Sequence, residues 1–89
     1  MKVLLHRLAK KYLNRLQPDD RDHFNAAFTA LEKEPPEGDI TQYEGNSGVL
    51  RLKVGNYGAL FKFVDNSIFI THIEPRGQAY TKKTRNKRG

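Results

Sequence analysis

The chain opens with a short alternation. Lys2 to His6 places Val3 and Leu5 on one side, which predicts a first strand facing a core. Leu5, Leu8, Tyr12, Leu13 and Leu16 then recur at helical spacing with Arg7, Lys10, Lys11, Asn14 and Arg15 between them. Pro18 suits the first turn of a second helix, where its missing N–H goes unused, and Asp19, Asp20 and Asp22 place negative charge at the positive end of that helix. Phe24, Ala27, Phe28 and Leu31 form its apolar stripe, and Pro35-Pro36 sets the limit beyond which it cannot run. From Val49 the period changes to two. Leu50, Leu52 and Val54 fall on one face, with Val49, Arg51 and Lys53 on the other. Gly55-Asn56 and Asp65-Asn66 are two-residue turns around a strand from Tyr57 to Val64, and Ser67 to Ile73 closes a three-stranded antiparallel meander.

The predicted order is β-α-α-β-β-β, an α+β fold in which a helical hairpin packs on one face of a small twisted antiparallel sheet. The pattern predicts one domain over residues 1–81. A basic tail, 82–89, carries no apolar pattern and is expected to be disordered when free.

Composition narrows the function classes. At 89 residues and 37% hydrophobic, there is material for one thin core. The chain has no cysteine, which rules out a disulfide framework and thiolate metal sites. Val3-Leu4-Leu5 is too short for a signal-peptide core or a membrane span, so the expectation is a soluble, cytoplasmic domain without membrane contact. The net charge of +6 is unevenly placed. Residues 1–48 hold seven Lys/Arg against eight Asp/Glu, whereas residues 49–89 hold nine against two. A half-chain carrying +7 favours an anionic partner, either nucleic acid or an acidic protein segment. The competing reading of the tail is that it only aids solubility.

Three segments carry a family resemblance. They are the Pro-rich link Leu31-Glu32-Lys33-Glu34-Pro35-Pro36, the strand–turn–strand Leu50-Arg51-Leu52-Lys53-Val54-Gly55-Asn56-Tyr57, and the ending Pro75-Arg76-Gly77-Gln78-Ala79-Tyr80. Together, over residues 1 to about 82, they resemble the RelE/ParE superfamily of toxins, and the ending resembles archaeal RelE-type members most closely. That resemblance implies a type II toxin held inactive by an antitoxin, here a RelB-like and acidic one, in a hetero-oligomer. RelE-type members cut mRNA in the ribosomal A site without a metal or cofactor, whereas ParE-type members inhibit DNA gyrase by binding. A third reading is a basic RNA- or ribosome-binding module without toxin activity.

Metal-free RNA cleavage needs a base for the attacking 2′-hydroxyl, cations for the phosphoryl charge and an acid for the departing 5′ oxygen. The candidate catalytic residues are Arg51 and Lys53 on one strand face, with Arg76 and Tyr80 assigned by the resemblance. Lys62, Lys82, Lys83 and Arg85 are candidate RNA-binding cations. For Arg51 and Lys53 the alternative is the solvated side of an amphipathic strand; for Arg76 it is pairing with Glu74 or with an antitoxin carboxylate, and for Tyr80 packing at the sheet edge. Where RelE-like members have Tyr-Arg, this chain has Tyr57-Gly58. Loss of a preorganised cation costs on the order of 10²–10³ in rate. Either Arg51, Lys53 or Lys62 replaces it, or activity is weak, or the chain works differently. His6 and His23 read as structural or surface residues. By simple alternation, His72 shares a face with Ile68, Ile70 and Glu74. No metal-ligand spacing, nucleophile elbow or phosphate-cradling glycine loop occurs.

Overall fold

A computed structural model describes residues 1–43 and 48–75. Seven elements follow in order: β1 (Lys2–Leu5), α1 (Arg7–Asn14), α2 (Pro18–Leu31), β2 (Ile40–Gln42), β3 (Leu50–Val54), β4 (Tyr57–Val64) and β5 (Ser67–Pro75). The sheet order is β1-β5-β4-β3-β2, with β1 parallel to β5 and every other pairing antiparallel. The predicted α+β architecture holds, with one additional strand. β2 lies in the link after the prolines, and its three residues are too few to show a period.

Local chemistry accounts for the element ends. His6 caps α1, its Nδ1 accepting the Leu8 N–H at 3.0 Å. Pro18 stands in the first turn of α2 beside Asp19 and Asp20. The second helix stops at Leu31, before the prolines. Gly55 has φ +58° at the first loop position of the β3–β4 turn, and Asp65 has φ +57° at the matching position of the β4–β5 turn. The N-terminal edge of the sheet is tied back to the helices: the Val3 N–H donates to Glu32 Oε2 at 2.7 Å.

Phe24, Phe28 and Leu31 on α2 and Ala9 on α1 pack against Leu52, Val54, Ala59, Phe61, Ile68, Ile70 and Ile73 of the sheet. Two details depart from the hydrophobic pattern. Leu5 belongs to β1, so the apparent stripe running on from it joins a strand to a helix. Leu8 is 59% exposed, because Ala9, Tyr12 and Leu13 form the face that the short α1 presents to the core.

The third departure sets the geometry of the other sheet face. Leu60 pairs with His72 but Phe61 pairs with Ile70, so β5 carries one extra residue, Thr71. Side-chain parity reverses there. Ile68 and Ile70 before the bulge and Ile73 after it all face the core, whereas His72 and Glu74 share the opposite, outer face with Gly58 and Leu60. Simple alternation had joined His72 and Glu74 to Ile68 and Ile70; the bulge separates them. The Thr71 hydroxyl donates to the Leu60 carbonyl at 3.4 Å, anchoring the irregularity.

Burying a side chain of this size contributes about 1.5–3 kcal/mol. Phe24 is 0% exposed, with its ring 5.7 Å from those of both Phe28 and Tyr57. Phe24→Ala is expected to lower unfolding stability by about 3–5 kcal/mol in chemical denaturation, and Leu8→Ala to change it by less than about 0.5 kcal/mol. Comparable losses for the two would place α1 differently on the sheet.

Candidate functional site

The outer face gathers the described candidate residues. Arg51 and Lys53 rise from β3, Lys62 from β4, and His72 and Glu74 from β5. Of the sequence-assigned residues, Arg76, Tyr80, Lys82, Lys83 and Arg85 lie outside the described residues.

Arg51 makes the defining contact of this face. Its Nη2 donates to Glu74 Oε2 at 2.9 Å, a part-buried ion pair between β3 and β5. Glu74 thus pairs with Arg51; the alternative that Arg76 pairs with Glu74 falls on a residue outside the described ones. The Arg51 guanidinium carbon also stands 5.7 Å from the centre of the Tyr43 ring, within cation–π range. Its Nε is buried and has no hydrogen-bond partner among the described residues. Lys53 is more open, its Nζ 3.5 Å from Asp39 Oδ2, with both side chains about half exposed. Such a surface pair contributes little to stability and leaves the ammonium free to exchange partners. Lys62 is exposed opposite Phe69.

Sequence reading missed Tyr43, because it follows the strand that the pattern did not reveal. It also missed the relation between Arg51 and Gly58. A Cβ built on Gly58 would stand 3.4 Å from Arg51 Nε and 3.6 Å from its Cδ and Cγ. The arginine therefore lies across β4 at the one strand position without a side chain. Lys53 is the residue directly opposite Gly58, and Leu60 is directly opposite Arg51. Leu60 is only 8% exposed although it belongs to the outer face.

The histidines separate by role. His6 is the α1 cap and packs edge-on against Phe69 at 6.1 Å. His23 is exposed on α2. His72 is exposed and cross-strand from Leu60, near the Arg51–Glu74 pair. β1 ends opposite Ile70, and beyond that point α1 lies along β5, leaving a cleft of about 140 Å³ lined by Leu8, Ala9, Tyr12, Thr71, His72 and Ile73. This cleft is separate from the cationic residues. No helix among the described residues is long and apolar enough to cross a membrane.

Beneath the outer face, two phenols have raised pKa values. Burial is the main cause for Tyr57, aided by Asp20, whose Oδ2 accepts the Tyr57 hydroxyl at 3.3 Å. Burial is also the main cause for Tyr12, with the negative charge of Glu74 adding to it. The rings meet edge to face at 6.4 Å.

No family model matches the chain, and no curated protein matches it. Solved structures do. The chain is similar to a chain of the archaeal RelE–RelB complex from Pyrococcus horikoshii OT3, with 28% identity and a TM-score of 0.69 over 85% of this chain and 94% of that one. It is also similar to a chain of the RelB–RelE antitoxin–toxin complex of Methanococcus jannaschii, with 18% identity and a TM-score of 0.70 over 89% and 96%. The isolated E. coli RelE toxin matches at 13% identity with a TM-score of 0.70 over 96% of both chains. At 18% and 13% identity the likeness concerns the fold. A helical hairpin on a mixed five-stranded sheet is the fold that the chain shares with these RelE structures. The chain is RelE-like.

The raised tyrosine pKa values carry a stability consequence. A phenol whose folded pKa exceeds its unfolded value of 10.0 stabilises the fold below that pH, and the stabilisation is lost as pH rises through the folded value, because the unfolded chain ionises first. Unfolding followed against pH should therefore show stability falling above about pH 10, less steeply in Tyr57→Phe than in wild type. Parallel pH profiles would contradict the assigned environment of Tyr57.

Proposed function

We propose that this chain is the toxin of a type II toxin–antitoxin pair and that it cuts mRNA in the A site of the ribosome. The observation that carries this reading is the grouping of Arg51, Lys53 and Lys62 on the outer sheet face beside His72 and Glu74. These groups stand on paired strands, so their spacing is set by the ladder and not by a loop. The likeness to a chain of a RelE–RelB complex supports the toxin assignment and an antitoxin partner.

In this reading the 2′-hydroxyl attacks the adjacent phosphorus, the new P–O2′ bond forms and the P–O5′ bond breaks. Arg51 and Lys53 stabilise the charge on the phosphoryl oxygens. Arg76, which follows Pro75 directly in the chain, holds the scissile phosphate, and Tyr80 stacks on a base or assists proton transfer. Lys62, Lys82, Lys83 and Arg85 add phosphate contacts that weaken with salt. The reaction takes place in the cytoplasm, on ribosome-bound message. Residues 1–81 form the toxin domain and 82–89 its basic extension. A RelB-like acidic antitoxin covers the outer face in a hetero-oligomer, neutralising Arg51, Lys53 and Arg76.

The test is primer extension on a message translated in a cell-free bacterial system. Wild type should give discrete A-site cuts that require ribosomes, and Arg76→Ala should reduce them by on the order of 10²-fold or more. Intact message would contradict the nuclease assignment. A gyrase supercoiling assay on the same preparation would then show whether the chain inhibits as ParE-type proteins do.

A further inference from the structure

We propose that Gly58 and Glu74 are positioning residues for Arg51, holding its guanidinium across β4 as a fixed phosphate ligand; this rests on the RNA reading above.

Arg51 and Glu74 belong to strands that both pair with β4, on opposite sides of it. Two strand spacings separate them, roughly 9–10 Å, so the arginine reaches Glu74 only by lying flat over the strand between. Glu74 is directly opposite Gly58, which is directly opposite Lys53. The arginine thus runs diagonally from its own rung to the next, and its stem and Nε stand over Gly58 at the 3.4–3.6 Å that a Cβ would occupy in contact.

Gly58 leaves the space that a side chain longer than a methyl would take from Arg51. Gly58 is absent from the positive-φ residues, so its backbone suits any L-residue. Glycine within a strand forgoes side-chain packing and marks the close approach of another group. Here that group is the Arg51 side chain, which covers Gly58 and leaves it buried. The Tyr43 ring flanks the guanidinium and Glu74 engages one donor of the fork, while the buried Nε makes no hydrogen bond among the described residues. Glu74 takes Nη2, and the proposal assigns the phosphate to the other arm of the fork, Nη1. Lys53 is drawn instead towards Asp39. The two cations are therefore spread over the face, one held and one mobile.

Four single variants of the full chain and one double variant test this: Gly58→Ala, Gly58→Leu, Glu74→Gln, Arg51→Ala and Gly58→Leu/Arg51→Ala. The first readout is binding of a 12-nucleotide single-stranded RNA at low salt by fluorescence anisotropy, a probe length of about that of a short bound segment. The second is the Arg51 Nε–Hε signal in nitrogen-15 spectra. Gly58→Ala should bind within about twofold of wild type, and Gly58→Leu and Arg51→Ala should each weaken binding by about tenfold. The double variant Gly58→Leu/Arg51→Ala should be no weaker than Arg51→Ala, since the leucine acts only through the arginine. Glu74→Gln should shift or broaden the Arg51 Nε–Hε signal, and this arm does not depend on the leucine variant folding. Additive losses in the double variant, wild-type affinity in Gly58→Leu or Arg51→Ala, or an unmoved Nε–Hε signal in Glu74→Gln would each overturn the proposal. Message left intact by a wild-type chain showing the expected binding pattern would count against cleavage and would leave the positioning of Arg51 supported.

Discussion

One additional residue in β5 governs both faces of the sheet. Without the bulge at Thr71, strict alternation would place His72 and Glu74 beneath the helices and turn Ile73 out to water. With it, Ile68, Ile70 and Ile73 all reach the core, and Glu74 emerges where Arg51 can meet it. A carboxylate buried without a partner among Phe24, Phe28 and Phe61 would be strongly destabilising. The bulge therefore serves stability and charge placement together. Its register shift is fixed by the Thr71–Leu60 hydrogen bond and by the β4–β5 pairing on either side.

The two faces then divide the labour of a small chain. The helix-facing side holds the aromatic and branched residues that make the fold stable, with Tyr57 bound to Asp20 joining α2 to the sheet. The outer side carries a polar set whose central pair spans β4. An arginine held by a carboxylate keeps its charge and loses much of its rotational freedom, which suits it to bind an anion of fixed shape. The lysine on the same strand face, loosely paired and half exposed, retains its freedom.

Much of this was legible in the sequence, and the remainder fails for identifiable reasons. The meander was readable because Leu50, Leu52 and Val54 alternate cleanly and because Gly55-Asn56 and Asp65-Asn66 delimit β4 at the observed residues. The second helix was readable from Pro18 and the Phe24–Leu31 stripe. β2 was not, since Ile40–Gln42 is shorter than any period can reveal. The face of His72 and Glu74 was misassigned because a bulge leaves no mark in an alternation count. Gly58 stood out as a departure from the resembled pattern, but its accommodation of Arg51 is a contact across strands and has no local signal. Arg76 and Tyr80, assigned by motif, remain the sequence's own contribution to the proposed site.

The proposed function requires the outer face, and not the helical one, to be the surface that meets ribosomal or messenger RNA. The most direct measurement is the salt dependence of binding to message-programmed bacterial ribosomes, comparing Lys53→Glu on the outer face with Lys10→Glu on exposed α1. Reversal at Lys53 should weaken binding across all salt concentrations and lower the slope of log affinity against log salt by about one, while reversal at Lys10 leaves both near wild type. Equal or larger effects at Lys10 would place the RNA-binding surface on the helices and contradict the account.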